Sequence, residues 1–266
     1  CDDGRWSRAA PAFRKEVLHK LADLIEANAL ELAVLGVRDN GTEIGMALKA
    51  EPGSAAGTFR YYAEALDKVY GEVAPTAENV LGLVHKDPVG VVGAIVPWNF
   101  PVYLAVAPLA AALAAGNRAI IKMSESTPET TKMLAELIAE VFSPSQVAVV
   151  GGEIEMAQYF SSLPWDHLVY TGSTNVGRLV MQAAAKNLTP VTLELGGKSP
   201  AIVTGNANQD TAAARVAAGK LFNAGQVCLA PDYALVPRNT LRDFVDSVQG
   251  KIAAAYPTLQ NNPDYT

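Results

Sequence analysis

The sequence contains few cysteines, few histidines and no excess of basic charge. Its 266 residues include two cysteines, Cys1 and Cys228, which are too few for a disulfide framework and predict a reducing, cytoplasmic setting. With only three histidines beside them, we expect no metal site. Lys and Arg number 21 against 27 Asp and Glu, giving a net charge of −6, so we expect no nucleic-acid partner.

Charged residues as a whole are also scarce, at 18%, whereas half of the residues are hydrophobic. This composition supplies a large core and excludes a disordered chain. The longest apolar stretch, Gly93–Gly116, has Asn99 as its only strongly polar side chain. Because Pro97, Pro101 and Pro108 interrupt it, it predicts a buried strand, a turn and a buried helix, and no membrane span.

The beginning of the sequence predicts two packing helices and a connecting arm. Apolar residues at helical spacing predict helices over residues 11–39 and 55–70. Residues 78–90 predict an exposed hairpin or arm. The polar start of the chain excludes a signal-peptide core, and the absence of an initiating methionine fits a fragment of a longer protein.

Strand-like and helical segments alternate from Val91 onward. Apolar runs begin 28, 28, 20 and 24 residues apart, at Val91, Ala119, Val147, His167 and Val191. Helical patterns lie between them, most clearly over residues 129–142. This alternation is typical of βαβ units in a parallel sheet, so we predict an α/β fold. Sites in such sheets lie beyond the carboxyl ends of the strands.

Two common nucleotide-binding fingerprints are absent. No Gly-x-Gly-x-x-Gly occurs, so the usual dinucleotide turn is missing. Gly197-Lys198-Ser199 does not complete a P-loop, because Thr192 stands where that motif requires a glycine. The sequence therefore argues against a P-loop nucleoside triphosphatase.

Polar residues after two predicted strands fit either a cofactor site or ordinary structure. Residues 171–177 predict a turn into a helix whose N–H groups favour a phosphate, or simply a helix with Ser173 or Thr174 as its N-cap. Lys122 and Glu125 have the donor and the acceptor that ribose hydroxyls need. They equally fit a solvated ion pair.

Three further side chains are candidates for catalysis. Asn99, in a turn bracketed by prolines, is either a turn former or an amide donor toward developing negative charge. Glu194 lies in an apolar strand, where burial would favour a general base. Cys228 is either an inert core thiol or a nucleophile.

Five short motifs follow one another along the chain: Pro97-Trp-Asn-Phe-Pro101, Lys122-x-x-Glu125, Gly172-Ser-Thr-Asn-Val-Gly177, Leu193-Glu-Leu-Gly-Gly-Lys198 and Gly225-Gln-Val-Cys228. In this order they resemble the NAD(P)-dependent aldehyde dehydrogenase superfamily, and the resemblance covers essentially the whole chain. Residues 1–100 are most similar to the branch that oxidises aminoaldehydes, such as γ-glutamyl-aminobutyraldehyde. From about Val102 onward the sequence is more similar to coniferyl aldehyde dehydrogenases, which is the similarity that we weight more.

The resemblance implies NAD-dependent oxidation of a small-molecule aldehyde, aromatic such as coniferaldehyde, to its carboxylic acid. An aminoaldehyde is the alternative substrate and NADP the alternative cofactor. Cys228 is implied as the nucleophile that forms a thioester, Asn99 as the group that stabilises the oxyanion, and Glu194 as the base that activates water. The implied cofactor-binding residues are Ile95, Val96, Pro97, Trp98, Lys122, Glu125, Gly172, Ser173, Thr174, Gly177, Leu195 and Gly196.

The resemblance also implies how the chain is organised. A Rossmann-type NAD-binding domain would span residues 1–194, with an oligomerisation hairpin at 78–90, and an incomplete α/β catalytic domain would span 195–266. Family members continue well beyond the nucleophile, whereas 38 residues follow Cys228 here. We therefore expect a homo-dimer or tetramer if the chain is complete, or a truncated NAD-binding module without turnover. Glu194 argues against a CoA-acylating enzyme.

Overall fold

The computed structural model describes residues 4–258, 260 and 262, so Cys1 lies outside the described residues. These residues form two compact units. The first consists of the chain up to Asn40 together with Ile44–Glu194. The second consists of Gly41–Glu43 together with the chain from Leu195 onward.

The first unit begins with four helices, α1 (Pro11–Ala27), α2 (Ala29–Asn40), α3 (Ile44–Ala50) and α4 (Pro52–Ala65). The prediction of one helix over residues 11–39 is wrong, because the helix is interrupted at Asn28. The side-chain amide of Asn28 donates to the Leu24 carbonyl at 2.8 Å, and its backbone N–H donates to the same oxygen at 3.1 Å. Such local bonding by asparagine competes with continuation of the helix.

Helix α4 also differs from the predicted range of 55–70. It starts at Pro52, which suits a first helical turn, and buries Phe59 and Ala63. It ends at Ala65, where the Lys68 N–H turns back to the Ala65 carbonyl at 2.8 Å. Val69 and Tyr70, which the predicted range includes, lie beyond the helix and are exposed.

The arm is an exposed antiparallel hairpin that starts earlier than the predicted 78–90. Strand β1 (Glu72–Ala74) pairs with β2 (Gly82–Val84), with Val73 opposite Leu83. Both of these side chains are more than half exposed.

A five-stranded sheet forms the centre of the first unit and confirms the α/β prediction. Its strands β3 (Val91–Ile95), β4 (Arg118–Lys122), β5 (Val147–Val150), β6 (His167–Gly172) and β7 (Val191–Leu195) are arranged in the order β5-β4-β3-β6-β7. Strand β3 pairs in parallel with both β4 and β6, and β4 pairs in parallel with β5. The order reverses between β3 and β6, and such a switch point is where open α/β sheets bind ligands.

Helices connect the strands and cover the sheet. They are α5 (Pro101–Ala114), α6 (Pro128–Ala139), α7 (Ile154–Ser161) and α8 (Thr174–Ala185). The stretch Gly93–Gly116 is a buried strand, a turn and the buried helix α5, as predicted. Within the described residues, every helix is too short or too polar to span a membrane.

The core of the first unit is continuous from the N-terminal helices to the sheet. It includes fully buried side chains from α1, α4, α5, β4 and α6, such as Leu21, Phe59, Leu109, Ile121 and Leu134. Ala94 of β3 and Ala119 of β4 also belong to this core, so it packs against the two strands that lead into Pro97–Pro101 and Glu125.

Strand β7 does not have the burial that its apolar sequence suggested. It lies at the edge of the sheet, and its residues alternate between half-buried and exposed, with Thr192 and Glu194 exposed. The expectation that Glu194 is buried is therefore wrong, because an edge strand has a neighbouring strand on one side only.

The second unit is a small α/β layer. Parallel strands β8 (Ser199–Ile202) and β9 (Pro231–Leu235) combine with α9 (Gln209–Leu221) and α10 (Leu241–Ala255). Asn208 caps α9 by accepting a hydrogen bond from the Thr211 N–H at 2.9 Å. Val203, Ala213 and Phe244 form the buried cluster of this unit.

Candidate functional site

Three of the predicted motifs start from one row of the sheet. Ile95, the last residue of β3, pairs with Lys122 of β4 on one side and with Tyr170 of β6 on the other. The segments that follow these residues are Pro97–Pro101, Glu125 and Gly172–Gly177. The parallel pairing thus brings most of the predicted cofactor-binding residues to the carboxyl edge, at the switch point of the strand order.

Lys122 and Glu125 form an ion pair at this edge. The ammonium Nζ lies 3.2 Å from Glu125 Oε2, with the lysine side chain 3% exposed and the glutamate side chain 49% exposed. The Glu125 pKa is lowered, first by its own backbone N–H and then by Lys122. The alternative of a solvated pair is therefore wrong for Lys122, while one face of Glu125 is open to a ligand.

Helix α8 starts at the end of β6. Ser173 is its N-cap, and its hydroxyl accepts from the Val176 N–H at 3.3 Å, as the simpler interpretation predicted. The first turn contains no acidic side chain, so the positive end of the helix dipole remains available to an anion. Thr174 and Gly177 lie in this turn, with Gly177 buried.

Position 172 has no room for any side chain. A Cβ built at this position would lie 2.3 Å from the Tyr170 hydroxyl oxygen, which itself donates to the Ser173 carbonyl at 3.3 Å. A side chain here would displace Tyr170 and with it the entry into α8. The glycine, the anion-favouring helix start and the Lys122–Glu125 pair together fit a dinucleotide.

The turn that contains Asn99 is fixed on several sides. The Val96 N–H donates to the Lys122 carbonyl at 3.1 Å, and the Asn40 side chain donates to the Trp98 carbonyl at 2.8 Å. Asn99 is half-buried, with its Oδ1 atom fully covered, whereas Trp98 is exposed. The turn therefore has a defined backbone path between β3 and α5.

One residue that sequence reasoning missed lies behind this turn. Glu51 is 6% exposed, and its Oε2 accepts from the Tyr103 N–H at 2.7 Å in the first turn of α5. Burial raises the pKa of Glu51 to about 7, against the lowering effect of the N–H groups of Tyr103 and Val102. The sequence offers no local signal for this contact, because the partners are 52 positions apart.

The three predicted site residues at the end of β7 are each at least partly exposed. Glu194 is exposed near the end of β7, Leu195 is half-buried and Gly196 is exposed. No Cβ built on Gly196 would meet another atom within 4 Å. Leu195 and Gly196 belong to the second unit and Glu194 to the first. The roles of these three residues remain predictions.

Cys228 is exposed and forms no disulfide. The alternative of an inert core thiol is therefore wrong. The loop before it has three successive residues with positive φ, namely Asn223 at 49°, Ala224 at 52° and Gly225 at 79°. Such a conformation is costly for alanine and is characteristic of functional loops.

Asn223 fixes this loop within the second unit. It is 4% exposed, its Oδ1 accepts from the Thr42 hydroxyl at 3.1 Å, and its carbonyl accepts from the Gln226 N–H at 2.9 Å. Within the described part of the chain, no three His, Cys, Asp or Glu side chains lie together in a way that would hold a metal ion.

Comparison with known proteins agrees with the sequence resemblance. The family profile described as "Aldehyde dehydrogenase family" matches residues 2–263. A probable coniferyl aldehyde dehydrogenase of Pseudomonas aeruginosa is 57% identical over 183 residues, which cover 69% of this chain and 38% of that protein.

Solved structures share the fold. The P. syringae indole-3-acetaldehyde dehydrogenase AldA, in complex with NAD+ and IAA, is 38% identical with a TM-score of 0.92, covering 96% of this chain and 52% of that one. The γ-glutamyl-γ-aminobutyraldehyde dehydrogenase of Burkholderia cenocepacia is 40% identical, also with a TM-score of 0.92, over 96% of this chain and 52% of that one.

The chain spans about half the length of the curated relatives it matches. Within that span, the profile match, the identities and the shared fold all agree. The predicted family and α/β fold are confirmed, and the chain belongs to the aldehyde dehydrogenase family.

Proposed function

We propose that this chain oxidises an aldehyde to a carboxylic acid with NAD, using Cys228 as a covalent nucleophile. The observation that carries the proposal is the exposed, unbridged thiol of Cys228 at the position of the family's nucleophile motif. A thiol that is to attack a substrate must be accessible, and a thiol inside an apolar core would not be.

The carboxyl edge of the sheet supports NAD as the cofactor. Lys122 and Glu125 would hold the adenosine ribose, and the Ser173 end of α8 would face the pyrophosphate. The Glu125 carboxylate would repel a 2′-phosphate, which favours NAD over NADP. When bound, NAD supplies an acceptor for a hydride from the substrate carbon.

The residues of the chain would carry the remaining chemistry. The Cys228 thiolate forms a C–S bond to the aldehyde carbon, and the Asn99 amide and the Cys228 backbone N–H hold the resulting oxyanion. Oxidation of that carbon leaves a thioester on Cys228. Glu194 takes a proton from water, the hydroxide adds to the carbonyl carbon, and the C–S bond breaks to release the acid and the thiolate.

The relatives suggest two substrate classes. The coniferyl aldehyde relative and the indole-3-acetaldehyde enzyme both act on aromatic aldehydes by their names, so we favour an aromatic substrate. The aminobutyraldehyde enzyme favours the second candidate, an aminoaldehyde. The ratio of kcat/KM for coniferaldehyde to that for an aminoaldehyde decides between them.

NADH formation by the 266-residue chain with coniferaldehyde tests the proposal. We expect formation in the wild type and a loss of at least about 10³-fold in Cys228→Ala, because the nucleophile is gone. Glu194→Gln should give a burst of NADH followed by slow turnover, because the thioester forms but is not hydrolysed.

Other results would change the assignment. Unimpaired turnover of Glu194→Gln would show that Glu194 is not the base. A CoA-acylating dehydrogenase or a thiol esterase would then become the candidate activity. NAD binding without any Cys228-dependent NADH would identify this chain as a cofactor-binding module.

We further propose the assembly and cellular setting implied by the family. Residues 1–194 would bind the cofactor and residues 195–266 would supply the nucleophile. The β1–β2 hairpin would contribute to a homo-dimer or tetramer, which sedimentation of the chain and of a Leu83→Asp variant would test. An exposed nucleophilic thiol suits a reducing compartment such as the cytoplasm.

A further inference from the structure

Glu51 is a buried carboxylate that none of the sequence motifs includes. It precedes Pro52 at the start of α4 and is 6% exposed. A buried carboxylate is expensive unless hydrogen bonds compensate its desolvation. The bonds that Glu51 accepts come from the start of α5, so its structural effect lies there.

Glu51 acts as the N-cap of a helix to which it does not belong. Phe100 occupies the N-cap position of α5 and has no side-chain acceptor for the first N–H groups. Glu51 accepts from the Tyr103 N–H at 2.7 Å and also from the Val102 N–H. A capping acceptor satisfies N–H groups that the helix itself leaves open, and negative charge is favoured at this end.

The capped turn follows directly after Asn99. Pro101, the first residue of α5, is two positions from Asn99, and the Leu104 N–H donates to the Phe100 carbonyl at 2.9 Å. On the other side, Asn40 donates to the Trp98 carbonyl. Glu51 therefore fixes the helical end of the turn and Asn40 the strand end.

We propose that Glu51 is a positioning residue for Asn99, holding its amide where an oxyanion would form. The inference rests on the proposed function for its catalytic consequence, but its structural part can be measured without turnover. A displacement of about 1 Å in a positioned group costs about 10²-fold in rate. The loss of one oxyanion donor costs about 10²- to 10³-fold.

The structural test uses the NMR signal of the Asn99 side-chain amide, assigned by its absence from an Asn99→Ala variant. We expect this signal to move in Glu51→Ala and, by a smaller amount, in Glu51→Gln, which keeps one acceptor oxygen. Trp6→Phe is the matched control. It removes the buried hydrogen bond from Trp6 Nε1 to the Leu113 carbonyl, 3.2 Å, near the opposite end of α5, and should leave the Asn99 signal in place.

The kinetic test is a double-mutant cycle at pH 8. We expect kcat to fall about tenfold in Glu51→Gln and about 10²-fold in Glu51→Ala, while the Kd of NAD changes less than twofold. In an Asn99→Ala background, Glu51→Gln should lower kcat less than twofold, because both changes remove the same interaction.

The outcomes separate this inference from the proposed function. An unmoved Asn99 signal in both Glu51 variants, or fully multiplicative kcat losses, would overturn the positioning role. A moved signal in a chain without Cys228-dependent NADH supports the positioning role and rejects the proposed activity. Should Glu51→Ala not fold, Glu51→Gln alone gives the same two readouts.

Discussion

The first unit buries a large core that runs from its N-terminal helices to the sheet, whereas the second unit buries a small cluster around Phe244. The side-chain caps of their helices differ as well, because the first unit has long-range caps in addition to a local one. In the first unit Glu51 and Asp39 cap helices distant in sequence, Asp39 by accepting from the Thr130 N–H of α6 at 2.8 Å. Ser173 in the first unit and Asn208 in the second unit each cap the helix that follows them directly. Long-range capping requires a surrounding core, so the two units differ in how far their local structure depends on tertiary packing.

The largest expected loss of stability comes from truncating one buried phenylalanine in each core. Phe59→Ala in the first unit should lower the free energy of unfolding by about 3–5 kcal/mol, because the side chain is fully buried and its surroundings collapse little. Phe244→Ala should cost about 2–3 kcal/mol, because its small cluster relaxes more easily. Urea unfolding measures both losses.

Measuring NAD binding by the same two variants extends the comparison of the two cores. Phe244→Ala should retain NAD binding below its unfolding midpoint, since the proposed cofactor residues on β3, β4 and α8 belong to the first unit. Equal losses of stability, together with loss of NAD binding in both variants, would mean that the chain unfolds as one body.

The next effect compares two carboxylates. The raised pKa of Glu51, about 7 in the folded chain, means that its stabilising contribution is complete below its ordinary pKa and is lost as the pH rises through 7. Relative to Glu51→Gln, the wild type should lose up to about 3 kcal/mol of stability between pH 4.5 and 8. Unfolding midpoints measured across this range test the sign.

Asp210 in the second unit provides the opposite case. Its pKa is lowered by hydrogen bonds from Lys251 and Ser247, so its contribution is present above the ordinary aspartate pKa and is lost as the pH falls through the lowered value. Asp210→Asn should therefore be less stable than the wild type at neutral pH, and this difference should disappear toward acidic pH. A loss of the wild-type advantage above neutral pH at this position would contradict the assignment.

The smallest expected effect concerns Glu125 at the carboxyl edge of the sheet in the first unit. Glu125→Gln should weaken NAD binding about tenfold, close to 1.4 kcal/mol, because a charge-assisted bond to a ribose hydroxyl becomes a neutral one. The preference for NAD over NADP should narrow at the same time. Equal affinity of the wild type for NAD and NADP, measured by titration calorimetry, would reject the role of Glu125.

Local features of the fold were predictable from the sequence, and distant ones were not. The strand starts, the Ser173 cap and the meeting of three motifs beside Ile95 all follow from local patterns and from the geometry of parallel sheets. The cap from Glu51 was not predictable, because it depends on the packing of α4 against α5.

The wrong prediction for Glu194 and the unpredicted conformation of Ala224 have the same origin. The exposure of Glu194 depends on β7 lying at the sheet edge, which its apolar sequence does not reveal. The left-handed conformation of Ala224 is one that alanine avoids in isolation, and the surrounding loop imposes it. In both cases tertiary structure overrides the local preference.

The assignment of Gly41–Glu43 to the second unit bears on how the chain is made. This segment leaves the ribosome about 150 residues before Leu195, a delay of about 10–30 s at typical rates of synthesis. During that interval the Thr42 hydroxyl has no Asn223 to bind. The second unit therefore cannot be completed until most of the chain has been synthesised, and a fragment that starts at Leu195 lacks the hydroxyl that anchors the loop before the thiol.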